Sequence, residues 1–503
     1  MKSLFKAVAL ITLFSILTRV SGFIFRIYLA RAIGEVELGL YQIAFSVFVV
    51  LLTAVSSGLP LTVSKLSAHY EAKKEHEKQN SMVVASLIVG VIVALVLSII
   101  ILLFNRYLTF LFPDERCIFI LITLLPAVVF SSAYAVFRGV LWGHKKYFIV
   151  CLVEFIEQIS RILICVFALT FIFSTVDGSL IASISLSIAC MISLILMAIA
   201  YFKNGFSFAN PKNAYKEIIT PSASVTGVRL LSSLVQPLVA ILVPMRMVSA
   251  GFTSEQALMH FGVLIGMTYP LLFLPSTLVG SLSMALIPDL ASAKAFNNNT
   301  QIANRIQSSL IFSFFISCLC IPAYIVLGQS IGTFLFDNTQ AGIYLANSAW
   351  IMIAICVNNI SATALNALGL EVKSFKNYIC GAIFMILALW FLPAYIGVES
   401  IIVGMGACMV ISTILNLKML HKAVPNLKFI KKALLLISFI IPTILITQNI
   451  YDIISLYLPI FITIVICGCI SVLIYTLLCY IFNVVEIKTM IISKLKKKST
   501  PRV

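Results

Sequence analysis

The sequence predicts an all-α, polytopic membrane protein with about fourteen transmembrane helices. Three observations carry that expectation. The 503 residues are 61% hydrophobic and only 11% charged, with a mean hydropathy of +1.10, a balance foreign to soluble globular domains. The apolar residues gather into runs of roughly 20 residues, the length that crosses a hydrocarbon slab of about 30 Å. The lysines and arginines concentrate in alternate loops, as the positive-inside rule asks of a chain that crosses repeatedly.

The first run, 5–33, has no small-residue cleavage site and is too long for the core of a signal peptide, so it reads as a spanning helix. Five more follow at 39–64, 82–104, 117–140, 147–173 and 178–202, the last two separated only by STVDG. The seventh and eighth, 217–243 and 257–285, are punctuated by Pro221, Pro237 and Pro244, then by Pro270, Pro275 and Pro288. Spans at 307–335, 343–369, 375–394 and 398–420 complete a second set of six, and 431–449 and 457–482 are additional. The expected domains are therefore an N-terminal six-helix lobe (1–204), a C-terminal six-helix lobe (205–421), and two further helices with a basic tail (422–503).

A weak internal repeat at an offset near 225 supports the two lobes. Leu66-Ser67-Ala68 matches Leu290-Ala291-Ser292, and Gly143 in LWGHKKYF matches Gly369 in LGLEVKSF. Six helices separate the copies, an even number, so both copies share one orientation about an axis along the membrane normal.

With these limits, roughly 27 of the 35 Lys+Arg fall on the side of the N-terminus and roughly 3 on the other, which predicts that both termini face the cytoplasm. The net charge of +17 is then mostly topological, and the tail KLKKKSTPRV is expected to touch anionic lipid, with no nucleic acid implied. The twelve cysteines lie in or beside apolar spans; Cys318/Cys320 and Cys467/Cys469, two apart, point in different directions on a helix, so neither a disulfide framework nor a metal site is expected.

The chemistry sits in charges that interrupt apolar spans. Arg19 and Arg26 lie in the first, Arg161 in the fifth and Arg229 in the seventh. A cation at membrane depth costs about 2.5–3.5 kcal/mol on insertion scales, so these arginines point to a cavity that receives something anionic. The alternative reading, snorkelling to an interface or pairing with a neighbouring helix, stands beside it for each. Arg19 and Arg26 are two turns and roughly 10 Å apart on one face, among Ser15, Thr18 and Ser21. Guanidinium forks beside hydroxyls suit phosphate or diphosphate oxygens.

Glu154, Glu157 and Arg161 share the fifth span, with Glu157 and Arg161 in the favoured i,i+4 order. They read either as a buried neutralising pair or as an ion-coupling site. Pro60, Pro270 and Pro275 are hinge candidates, because proline removes a helix hydrogen bond where a cavity or bend can re-satisfy the backbone. No Walker loop or HExxH is present and no cofactor is expected; His69, His76, His144, His260 and His421 are scattered and read as solvated.

Several segments resemble a known family: TRVSGFIFRIYLARAIGEVELGLYQIAF, SSGLPLTVSKLSAHY, FRGVLWGHKKY, EFIEQISRI, TPSASVTGVRLLSSLVQPLVAILVPMRM and GMTYPLLFLPSTLVGSLSMALIPDLASA. They are similar to the polysaccharide and lipid-linked-precursor branch of the multidrug/oligosaccharidyl-lipid/polysaccharide flippase superfamily, in its stage V sporulation protein B group, relatives of the lipid II flippase. The resemblance implies two six-helix lobes in a V around a central cavity. It implies alternating access that carries an undecaprenyl-diphosphate-linked saccharide between leaflets, with membrane lipids and cell-wall synthesis proteins as neighbours. By it, Arg19 falls on a first-helix cavity arginine, Arg26 one residue after a second, and Arg229 on the first helix of the second lobe. The arginine pair of lipid II flippases on the second helix is replaced by LLTAVSSG, which leaves other undecaprenyl-linked glycans open.

The sequence thus predicts a flippase in a bacterial plasma membrane. A multidrug cation antiporter of the same superfamily would want an acidic cavity. A membrane glycan polymerase would want paired carboxylates on an outer loop, where Asp114, Glu115, Asp337 and Asp452 stand isolated.

Overall fold

The structure, a computed structural model, describes residues 2–171, 177–211, 214–295, 298–424 and 427–482; the basic tail and residues 172–176 between the fifth and sixth spans lie outside the described residues. Every regular element among the described residues is a helix, and contacts divide the chain into two compact units, Met1–Gly266 and Met267–Val503. Among the described residues, ten helical stretches are long and apolar enough to cross a membrane, or twelve with two bent pairs, Ile11–Lys73 being one stretch. The fifth predicted span is not among them, since it carries Glu154, Glu157 and Arg161.

The first unit contains α1 (Lys2–Ser56), α2 (Leu59–Lys73), α3 (His76–Leu103), α4 (Arg116–Gly143), α5 (Tyr147–Phe171), α6 (Gly178–Lys203), α7 (Tyr215–Ser233), α8 (Val235–Ser249) and α9 (Ser254–Phe261). The 55 residues of α1 would extend about 80 Å as one rod, far more than a bilayer core. The run is broken at Gly34, whose φ of 79° and ψ of 178° only glycine adopts without strain. The break separates the spans expected at 5–33 and 39–64. Just beyond it, Glu37 meets Arg116 at the start of α4 (3.2 Å) and accepts from the Ser179 backbone N–H at the start of α6 (3.2 Å). One carboxylate thereby gathers three helix ends at one level.

Small residues let the helices approach. A Cβ on Gly139 of α4 would lie 2.8 Å from the Pro60 carbonyl oxygen of α2, and one on Gly143 would lie 2.7 Å from that of Ser64. Pro60 is itself not inside a helix: it opens α2 after a bend at Ser57-Gly58. That bend is packed by α7, where a Cβ on Gly58 would lie 2.2 Å from the Ser222 carbonyl oxygen.

A π-helical turn, Gly262–Thr268, leads into the second unit. There the main helices are α10 (Leu274–Ala295), α11 (Asn299–Phe336), α12 (Thr339–Ser348), α13 (Ile351–Ala367), α14 (Glu371–Phe391), α15 (Glu399–Ala423), α16 (Ile430–Ser438), α17 (Ile440–Ile454) and α18 (Ile460–Ile481). Pro270 and Pro275 flank a break at Phe273 across which the helical runs bend by 48°. The final helices join this unit's core: Leu436, Phe439 and Tyr475 pack with Phe314 and Cys318 of α11, and the Tyr475 hydroxyl donates to the Leu436 carbonyl (2.8 Å).

The turns after α4 and α13 close alike. After α4, Lys145 takes φ 59°, with Lys145 N–H donating to Trp142 O (3.0 Å) and Lys146 N–H to Leu141 O (2.8 Å). After α13, Gly369 takes φ 80°, with its N–H donating to Asn366 O (3.0 Å) and that of Leu370 to Leu365 O (2.9 Å). The same closure also follows α2 at Lys74 and α8 at Gly251, so it marks helix ends in general and does not align the two repeats.

Candidate functional site

The charges of the first unit are organised by the packing of α1 and α4 on α5. Phe14 of α1 packs edge-on against Phe155 (6.0 Å between centroids), Gly22 faces Gln158, and the Arg161 guanidinium lies over the Phe25 ring at 5.1 Å. Rising numbers on α1 meet rising numbers on α5, so the two helices run parallel. Helix α4 runs antiparallel to α5 through the Gly143–Lys146 turn. Arg138, five residues before that turn, and Glu154, eight after it, meet at 3.3 Å.

Where α1 crosses α5, a cavity of about 150 Å³ opens, lined by Gly22, Phe25, Arg26, Leu29, Tyr41, Gln42, Phe45, Gln158 and Arg161. It brings together two of the predicted arginines, Arg26 and Arg161, from helices more than a hundred residues apart. Arg161 donates through Nη2 to the Tyr41 hydroxyl (2.8 Å), and Tyr41 stacks on Phe45 (5.6 Å). The Arg161 Nε and Gln158 Nε2 are buried without a hydrogen-bond partner. No carboxylate lines the cavity. Glycine at position 22 keeps the α1 wall open, because a Cβ there would stand 3.7 Å from Gln158 Nε2.

The remaining predicted residues lie elsewhere. Arg19, on the same face of α1 as Arg26 but two turns away, is exposed. Arg229 is exposed on α7 and donates to the Ser57 carbonyl at the bend before Pro60 (3.3 Å). The i,i+4 pairing offered by Glu157 and Arg161 is not made within 4 Å: Arg161 turns to Tyr41 and Phe25, while Glu157 lies beside Ser193. Glu154 pairs with Arg138, a residue that sequence reasoning passed over. Arg138 bore the same signal as Arg161, a cation within an apolar helix. Gln158, one turn before Arg161, was also legible as a neighbour on its face.

His144 departs from the solvated reading. Its side chain is 9% exposed, contacts Gln79 Nε2 (2.7 Å) and packs on Phe206 (4.6 Å between ring centroids).

Known proteins share this architecture. The lipid II flippase MurJ in an inward closed conformation is similar with a TM-score of 0.69 at 16% identity, over 94% of this chain and 98% of that one. An inward-facing multidrug resistance MATE family transporter of the MOP superfamily is similar with a TM-score of 0.66 at 15% identity, over 81% and 95%. Stage V sporulation protein B of Bacillus subtilis (strain 168) is 24% identical over 423 residues, which are 81% of this chain and 82% of that protein. The fold is shared with these multi-pass membrane proteins. The family model described as polysaccharide biosynthesis protein matches residues 4–294, and the chain belongs to that family.

Proposed function

We propose that this protein flips an undecaprenyl-diphosphate-linked saccharide, a peptidoglycan precursor such as lipid II or a related envelope glycan, from the inner to the outer leaflet of a bacterial plasma membrane. The observation that carries the reading is the sign of the charge on the membrane helices of the first unit. Arg19 and Arg229 stand exposed on helices α1 and α7. A diphosphate is the headgroup such a surface attracts. The sugar follows it through a polar passage while the polyprenyl tail stays in lipid.

Transport then proceeds by alternating access, two lobes rocking about the breaks at Pro60, Pro270 and Pro275. The Glu154–Arg138 pair and Glu157 are the candidates for coupling to an ion, and both termini face the cytoplasm. A multidrug cation antiporter would place carboxylates where this chain places arginines. Enzymes of cell-wall synthesis are the natural neighbours, since they supply the substrate.

The experiment is an outer-leaflet appearance assay with a labelled lipid-linked saccharide in proteoliposomes. Arg19→Ala and Arg229→Ala should each abolish appearance at unchanged protein level. Full activity in both variants removes the assignment, and drug-stimulated cation exchange by the wild type would favour the antiporter.

A further inference from the structure

We propose that the cavity between α1 and α5 is a binding site for one small inorganic anion of halide to phosphate size, built into the first unit and distinct from Arg19 and Arg229. Its lining supplies two guanidinium groups and no carboxylate. Glu157, one turn before Arg161, acts on it without lining the cavity or coming within 4 Å, so the two guanidinium groups facing one partly enclosed space repel each other, an arrangement that an anion between them relieves. Two buried side-chain atoms of the lining lack a partner, and both are donors. Arg161 Nε and Gln158 Nε2 are buried and unpartnered, and the Tyr41 hydroxyl, accepting from Arg161, keeps its own proton to give. Unsatisfied buried donors are costly, so several around one space mark a missing acceptor.

Size decides the class of anion. At about 150 Å³ the cavity holds the volume of about five liquid waters, enough for a halide or a phosphate with part of its shell. It is well below the ~300–1,000 Å³ of sites that enclose larger ligands, so a diphosphate carrying a saccharide does not fit. The inference does not depend on the cargo: an inactive Arg19→Ala variant can still bind the anion, and an active flippase can lack it.

The test uses purified full-length protein in detergent. Its thermal unfolding midpoint is followed as sodium gluconate is replaced by chloride, bromide or phosphate at constant ionic strength, which holds general screening fixed. A saturable rise in midpoint with at least one of these anions is expected. The apparent affinity should weaken about tenfold or more in Arg161→Gln and in Gln158→Leu, and stay at the wild-type value in Arg106→Gln, which lines no part of the cavity. Gln158→Leu preserves charge and approximate volume, so it decides the matter if Arg161→Gln does not fold. The proposal is overturned if no anion shifts the midpoint, or if Gln158→Leu responds as the wild type does. A response confined to undecaprenyl diphosphate would also overturn it and would assign the cavity to the cargo.

Discussion

Arg161 shows what decides a side chain's partner inside an apolar helix. Four residues separate it from Glu157, and helical geometry permits a pair worth about 0.2–0.5 kcal/mol on an isolated helix. The folded unit offers more: an aromatic face at Phe25 and a phenolic acceptor at Tyr41. A hydrogen bond from a charged donor contributes about 1.5–3 kcal/mol and a desolvated cation–π contact about 2. Tertiary partners therefore win. Tyr41→Phe removes the acceptor and leaves another buried donor unpaired, so it should destabilise the protein by about 1–3 kcal/mol, read as a lower unfolding midpoint; no shift would mean that Arg161 is held by something else. His144 makes a second prediction. Burial pushes its imidazole below the ordinary value, opposed by Glu71 and reinforced by Lys146 and His76. The folded form then binds fewer protons than the unfolded chain, whose histidine titrates near pH 6.5. Its contribution is intact above that value and is lost as pH falls through the unfolded pKa toward the folded one. The unfolding midpoint should drop between about pH 7.5 and about pH 5.5 more steeply in the wild type than in His144→Gln; equal slopes would refute the assignment. Neither contact was legible in the sequence, because both join residues remote in the chain and no single-helix pattern encodes them.

At the level of the element, hydropathy carries nearly everything about where helices lie and little about which way they face. The spans expected at 5–33 and 39–64 were readable because apolar length is a direct consequence of bilayer thickness. Their junction was readable too, because Gly34, Glu35 and Glu37 interrupt the apolar run; what hydropathy leaves out is the positive φ of Gly34 that breaks the helix there. Facing fails for a related reason: α1 is apolar nearly all round, so Arg19 and Arg26 share an angular position yet meet different surroundings two turns apart. Close crossings leave a stronger mark. A Cβ on Gly39 would stand 2.2 Å from the Leu258 carbonyl oxygen of α9, and the reciprocal Gly262 Cβ would stand 2.1 Å from that of Glu35. Backbone lies on both sides, so neither neighbour can rotate away. Gly39→Ala should therefore cost about 1–3 kcal/mol and lower the unfolding midpoint, whereas Gly227→Ala, which meets no atom within 4 Å, should be nearly silent. The prolines at the Phe273 break are argued by the same geometry. Pro270→Ala with Pro275→Ala restores backbone donors on both sides of the 48° bend and favours a straighter helix. If the break is a hinge, the double variant transports more slowly while still binding lipid-linked saccharide; unchanged transport would reduce these prolines to packing.

For the whole molecule, the two halves can be compared at the turns after α4 and α13. The sequences around them, LWGHKKY and NALGLEV, have little in common. The backbone nonetheless repeats donor for donor, with Lys145 and Gly369 in the left-handed position 224 residues apart and Lys146 and Leu370 each closing a bond five residues back. The same closure follows α2 at Lys74 and α8 at Gly251, so it is a general way for a helix to end, and the parallel arrangement rests on the repeat in the sequence. Two copies of a motif in the same sense, separated by an even number of crossings, must lie on the same side of the bilayer; an inverted repeat would put them on opposite sides. The lysines agree, with Lys145 and Lys146 at the first turn and Lys373 and Lys376 just past the second. Single cysteines introduced at Lys145 and Lys373 in a cysteine-free background should therefore both resist a membrane-impermeant maleimide applied from outside, and both react once the inner face is opened. Labelling of one from outside and the other from inside would break the parallel-repeat reading. It would also remove the two-lobe symmetry on which a rocking transporter depends.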